Sequence, residues 1–185
     1  MDDRRLVKDC LKGNAAAQRQ LYERFASPML AVCYRYTKSV ADAEDVLQEG
    51  FVKAFKNLDQ YKGDGELGAW IRRIMVTTAI NYLKKNSRYN QELAFGEEHL
   101  HAVPGYQPQI TLEAKELADL IRQLPSGYQT IFNLYAVEGY SHVEIGKILG
   151  IQEGTSRSQY ARARALLIQW IEKENKDFKT AAYAR

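Results

Sequence analysis

The sequence predicts an all-α fold: two small helical domains joined by a flexible linker, the second carrying a helix-turn-helix. Three observations carry that prediction. Apolar residues recur at helical spacing along most of the 185 residues, and alternating strand-like runs are absent. Proline occurs only at positions 28, 104, 108 and 125, which leaves long helices unobstructed elsewhere. The stretch 87–111, SRYNQELAFGEEHLHAVPGYQPQIT, gathers two of those prolines with two glycines and has no clear period. Irregular runs of that length are uncommon inside a compact domain, so a linker between domains is the better assignment.

Helices are expected near 3–12, 14–37, 40–57 and 68–87 in the first domain. In the second they are expected near 111–122, 126–138, 141–149 and 153–174. The resulting plan is a domain over 1–88, a linker over 89–110, a domain over 111–174 and a tail over 175–185.

The 40–57 helix has two distinct faces. Leu47, Phe51, Phe55 and Leu58 run down one side and belong to a core. Asp45, Gln48, Glu49 and Val52 recur at i, i+3, i+4 and i+7 on another, an acidic face with one apolar member that suits docking on a basic partner surface. A merely solvated amphipathic helix would show the same pattern.

The next helix, within GELGAWIRRIMVTTAINYLKKNSR, interleaves Trp70, Ile74, Thr77 and Asn81 with Arg72, Arg73, Lys84 and Lys85. From Leu67 to Gln91 there is no acidic residue at all. Basic residues interleaved with aromatics suit a surface that holds phosphates and stacks on exposed bases. The preceding loop, Tyr61-Lys62-Gly63-Asp64-Gly65, offers an aromatic, a cation and an acceptor to an unstacked base. The plainer alternative places Trp70 and Ile74 in the core, although an indole can bury one face and still show an edge.

The last two helices are separated by a tight bend. Ser141 and Glu144 form a capping box, Ile145, Ile148 and Leu149 an apolar stripe, and Gly150 stands where a left-handed cap favours glycine. A helix of about eight residues, a short glycine turn and a longer helix make the helix-turn-helix pattern. On the longer helix Tyr160, Ala163 and Leu167 share an inward face. Ser156, Arg157, Gln159 and Arg162 supply groups able to bond phosphates and base edges, the first three near the end that enters a major groove.

Composition bounds the rest. Hydrophobic residues at 45% and charged residues at 26% are those of an ordinary folded protein. The net charge of +3 is mild, but residues 1–90 hold 16 basic against 11 acidic residues, whereas 91–112 hold three acids and no base. One-sided basic segments attract polyanions, nucleic acid foremost. Two cysteines, Cys10 and Cys33, are too few for a disulfide framework and fit a reducing compartment. The first residues are too charged for a signal peptide, and no window reaches the 18 or more apolar residues that span a bilayer. A cytoplasmic location without membrane insertion is the expectation.

DAEDVLQEGFVKAF, YKGDGELGAWIRRI and SHVEIGKILGIQEGTSRSQYARAR, in that order and spacing, resemble the extracytoplasmic-function sigma factors of the sigma-70 family, bacterial transcription initiation subunits. The resemblance covers roughly residues 10 to 172. It implies binding rather than catalysis, and no cofactor. It assigns Asp45, Gln48, Glu49 and Val52 to docking on core RNA polymerase. It assigns Tyr61, Lys62, Gly63, Asp64, Trp70, Arg73, Thr77, Asn81 and Lys84 to opening and holding the promoter −10 element. Ser156, Arg157, Ser158, Gln159 and Arg162 are assigned to reading the −35 element as duplex, and the linker to the polymerase cleft. Arg164 is left open between the DNA backbone and the polymerase. An anti-sigma factor is implied as a further partner.

Four positions depart from the family pattern. Thr77 replaces a common asparagine, Ser156 a common aliphatic residue, Gln159 a common arginine and Gln152 a common serine cap. Losing such a cap costs ~1 kcal/mol.

Two other readings stand beside this one. A stand-alone helix-turn-helix regulator needs only the second domain and leaves the acidic face and the basic aromatic helix without a purpose. An enzyme would need a reactive constellation, but His99 and His101 lack the third or fourth ligand of a metal site, and no glycine-rich nucleotide loop is present.

Overall fold

A computed structural model of the chain describes residues 3–85 and 114–183. The expected linker over 89–110, with His99 and His101, lies outside the described residues. The chain divides into two compact units, the first ending at residue 86.

The first unit contains α1 (Asp3–Leu11), α2 (Ala15–Tyr34), α3 (Val40–Lys56), a single 3-10 turn (Leu58–Gln60) and α4 (Leu67–Lys85). Side-chain caps define the starts of two of these helices. Asn14 accepts from the amides of Ala16 and Ala17 at the head of α2, and Ser39 accepts from Asp42 at the head of α3. Leu47, Phe51 and Leu58 are buried as the periodicity requires, whereas Phe55 is only half-buried. They pack with Leu21, Phe25 and Met29 of α2 and Ile71, Met75 and Ala79 of α4 in the core of the unit. Cys10 and Cys33 are both buried and free, and burial raises both thiols, Cys33 to about 12. Neither thiol is a nucleophile at neutral pH.

The second unit contains α5 (Ala114–Gln123), α6 (Ser126–Phe132), α7 (His142–Leu149) and α8 (Glu153–Tyr183). A single helix is expected over 126–138, but α6 passes into a π turn over Asn133–Val137. The wider turn lets two consecutive residues, Asn133 and Leu134, both lie wholly inside. Leu120, Ile121 and Leu124 close on Ala163, Leu167 and Ile171 of α8, with Tyr128, Phe132, Leu166 and Trp170 packed around them. The backbone of α8 runs on to Tyr183, nine residues past the expected end at 174. The segment that follows lacks glycine and proline and contains good helix formers, so nothing local ends the helix there.

No described helix is long and apolar enough to cross a membrane.

Candidate nucleic-acid interface

Helix α4 turns Leu67, Ile71 and Met75 inward, and this register leaves Trp70, Arg73, Thr77 and Asn81 along the opposite edge. These four residues line a cleft of about 400 Å³, together with Lys53 and Asn57 from the neighbouring chain segment. Trp70 is half-buried, so the indole both anchors to the unit and forms a wall. Lys53 bridges the helices, pairing with Glu49 at 2.6 Å and donating to Thr78 Oγ1 at 3.4 Å. Thr77 donates its hydroxyl to the Arg73 carbonyl at 2.8 Å, which leaves the oxygen lone pairs as its remaining polar offering. An aromatic wall, two cations and side-chain amides around one recess match what an unstacked base and its phosphate require.

The 61–65 loop is held in one shape by its own contacts. Tyr61 donates its hydroxyl to the Gly65 carbonyl at 2.6 Å, and Gly63 and Gly65 take φ values of +80° and +105° that only glycine adopts without strain. The Tyr61 ring meets Trp70 with centroids 5.8 Å apart, joining the loop to the cleft. Lys62 and Gly63 face α1 instead, Asp64 is exposed, and Lys84 lies one turn beyond the cleft-lining residues. The nine residues expected at the −10 surface therefore fall into two groups bridged by Tyr61. Lys53 and Asn57 were missing from that set, because they come from a helix whose other faces carry the obvious signals.

On α3, Asp45 and Gln48 are exposed and Val52 is 51% exposed, an uncommon state for a valine on a packed helix. Glu49 shares this face but is engaged within the unit. The hydrogen bond from Lys53 holds its carboxyl below the usual range, with the Lys53 and Lys85 charges acting the same way against some burial. Two turns earlier, Tyr82 donates to Asp42 at 2.7 Å and ties α4 to the start of α3. That bond, with the bond from Ser39, lowers the Asp42 carboxyl.

In the second unit, the capping box of Ser141 and Glu144 is fully formed, and Gly150 closes α7 at φ +75°. The leading turn of α8 differs from the sequence expectation at two positions. Ser156 is 0% and Gln159 2% exposed, so both side chains lie in the interior of the unit rather than on its surface. The physical reason is the helical period: Ala163 and Leu167 are buried, and stepping back by four and seven residues from Ala163 gives Gln159 and Ser156. Ser156 Oγ instead bonds His142 Nδ1 at 2.9 Å. That burial also accounts for the aliphatic residue common at this position in the family that the sequence resembles.

His142, in the first turn of α7, is half-buried, stacked on one aromatic ring and tilted against another. Its centroid lies 4.3 Å from Tyr135 and 5.8 Å from Tyr160. Arg157 and Ser158 remain exposed, and Arg162 is half-exposed. Arg157 Nε donates to Glu153 Oε1 at 2.8 Å, and Ser158 Oγ donates to the Thr155 carbonyl at 3.0 Å.

A helix-turn-helix with arginine and serine on its leading turn, on the same chain as a basic aromatic cleft, defines a two-part nucleic-acid-binding protein. Comparison with known proteins makes the class specific. Residues 21–89 match the model of sigma-70 region 2, and residues 114–167 match that of sigma-70 region 4. The ECF RNA polymerase sigma factor SigW of Bacillus subtilis is 29% identical over 172 residues, 87% of this chain and 92% of the relative. The ECF RNA polymerase sigma-E factor of Escherichia coli is 31% identical over 175 residues, 89% of this chain and 91% of the relative. Two solved structures share the fold. CnrH, solved in complex with the cytosolic domain of CnrY, has a TM-score of 0.50 at 24% identity, covering 92% of this chain and 97% of its own. RpoE from Bartonella quintana, solved in complex with the anti-sigma factor NepR, has a TM-score of 0.51 at 20% identity, covering 83% and 96%. The chain belongs to the extracytoplasmic-function sigma factors of the sigma-70 family. It is a transcription initiation factor, a family of binding subunits and not of enzymes.

Proposed function

We propose that this sigma factor divides its work among three surfaces. The exposed face of α3, with Asp45, Gln48 and Val52, docks on core RNA polymerase, and Glu49 supports it through Lys53. The cleft beside Trp70, with Arg73, Thr77 and Asn81, holds a base of the opened −10 strand, while Lys84 and the Tyr61–Asp64 loop engage the adjoining backbone. Arg157 and Ser158 near the start of α8, with Arg162 about one turn further along, contact the −35 duplex, while Ser156 and Gln159 support them from inside the unit. The domain plan of 1–88, 89–110 and 111–174 serves these roles, the linker passing through the polymerase. The site of action is the bacterial cytoplasm. An anti-sigma factor is the proposed regulator, a partner of the kind with which the Bartonella quintana RpoE chain was solved.

The observation that carries this reading is the convergence of a half-buried indole, a guanidinium and polar side chains on one recess. Strand opening then needs no hydrolysis, because capture of an unstacked base supplies the free energy that unpairing costs.

Co-elution with bacterial core RNA polymerase tests the proposal. Wild type is expected to bind, and Asp45→Arg or Val52→Asp to weaken binding at least tenfold. Both positions are solvent-facing, so folding is retained. A folded wild type that ignores core polymerase yet binds duplex DNA tightly by itself would overturn the reading in favour of a stand-alone regulator.

A further inference from the structure

Helix α7 is bound to the start of α8 beside the bend and again at its own first residue. Beside the bend, the Gly146 carbonyl accepts from the amides of Gly150 and Ile151 at 2.8 and 3.0 Å. A Cβ at Gly146 would stand 2.8 Å from the Ile151 carbonyl oxygen, so the turn lies directly on the helix there. A contact so near the bend holds the helices together but acts as a pivot, about which α8 can still turn. The other contact removes that freedom, since His142 Nδ1 shares a hydrogen bond with Ser156 Oγ at 2.9 Å. We propose that the His142–Ser156 bond is the positioning element of the −35 reader, setting the angle at which α8 presents Arg157 and Ser158 to the duplex. It rests on the −35 reading of those two residues.

Both partners of the bond are held in place. The Tyr135 ring of the π turn lies 4.3 Å from the imidazole and 10° from parallel, and Tyr160 of α8 closes on it at 5.8 Å. Tyr135 and Tyr160 also meet each other at 4.5 Å. These rings fix the plane of the imidazole and hence the direction of Nδ1. Ser156 is wholly buried, so its hydroxyl is shielded from competing solvent and loses much if the bond is broken.

Direction is what such a bond adds to packing. Apolar contact is non-directional and tolerates a small rotation of a helix, whereas a hydrogen bond weakens steeply as its angle departs from linear. Arg157 and Ser158 are the next two residues after Ser156 and both are exposed, so the rotation of this turn decides where they point. A bidentate contact to a base edge needs that direction held closely, while phosphate contacts position a protein without carrying sequence information. Loss of the bond therefore lowers discrimination between sequences more than it lowers affinity for DNA in general.

The test uses the full chain reconstituted with core RNA polymerase. The wild type selects a duplex from a pool randomised over the −35 region. Anisotropy then gives the affinity for that duplex relative to a scrambled duplex of the same composition, across a salt series. Ser156→Ala and His142→Phe are each expected to lower this ratio about tenfold, the scale of one misaligned bidentate base contact. The double variant is expected to lose no more than either single one, because both remove the same bond. Ser156→Thr keeps a hydroxyl and is expected to restore the ratio. Affinity for the scrambled duplex and its salt slope stay close to wild type in these variants, which also reports that they fold. Arg157→Ala is expected to lower the ratio and flatten the slope. If Ser156→Ala and His142→Phe keep the wild-type ratio while Arg157→Ala loses it, the bond positions nothing and the −35 reading stands. If Arg157→Ala keeps the ratio as well, the −35 reading fails and takes this one with it. Additive losses in the double variant, or a Ser156→Thr loss equal to that of Ser156→Ala, would overturn the proposal in favour of general packing under α8.

Discussion

The imidazole of His142 lies flat on the ring of Tyr135, with centroids 4.3 Å apart and planes 10° from parallel, while its Nδ1 shares a hydrogen bond with the buried Ser156. This contact joins the first turn of α7 to the first turn of α8, so one imidazole sets how the two helices of the helix-turn-helix meet. Burial pushes its pKa down, Arg157 adds to the effect, and Glu153 opposes it. The folded-state pKa is therefore below the usual 6.5. As pH falls past 6.5, the unfolded chain takes up a proton that the folded chain resists, and stability is lost until the lowered folded pKa is passed. Above that window His142 adds no pH dependence. Thermal melts between pH 8 and 5 are expected to show a falling Tm below about pH 6.5. The fall should be smaller in His142→Phe, which keeps a stacked ring but cannot titrate. Equal pH profiles for the two would show that the imidazole is not coupled to folding.

Gly50 of α3 packs directly against the Met75 side chain of α4. A Cβ at position 50 would stand 2.2 Å from Met75 Sδ, and Met75 is wholly buried. Gly50→Ala would normally favour a helix, but here the methyl group must displace a packed thioether. The expected net loss is about 1–3 kcal/mol, as for other overpacked cores. Met75→Ala creates a cavity of its own, yet it also opens the space that the new methyl group needs. Urea unfolding of both single variants and the double variant should therefore show a loss smaller than the sum. Strict additivity would mean that the two side chains do not compete for that space.

Arg157 is held by Glu153 one turn back, with side chains 66% and 41% exposed. Exposed pairs of this kind contribute about 0.2–1 kcal/mol, and a DNA phosphate or base edge must compete with the carboxylate for the guanidinium. Glu153→Gln is expected to leave stability within about 0.5 kcal/mol of wild type. The same change should raise duplex DNA affinity by up to ~5-fold, the equivalent of about 1 kcal/mol. Anisotropy on a labelled duplex, with a melt in parallel, measures both. Unchanged affinity would remove Arg157 from the DNA contact set.

Among the described residues, the helices and most of their ends were legible in the sequence because they depend on short-range features. These are the 3.6-residue period, the caps at Ser39 and Ser141, the glycine at 150 and the distribution of proline. The candidate site was legible only in part. Arg157 and Ser158 are exposed where a groove-facing role needs them, and Trp70, Arg73, Thr77 and Asn81 share a recess. Ser156 and Gln159 misled because a polar side chain suggests a surface, although the period that buries Ala163 already placed them inward. At Ser156 that burial comes with a hydrogen bond to His142, a residue 14 positions away.

By itself, then, the sequence determined that the chain is helical, that it falls into two units, and which polar residues share each helix face, since these follow from periodicity and backbone sterics within a few turns. Only the tertiary structure decided that Lys53 and Asn57 join Trp70 around one cleft, and that Glu49 is engaged while Asp45 is open. Those relations depend on the rotation of one helix against another. That rotation is set by the summed packing of buried side chains such as Met75 against Gly50, which no single helix encodes.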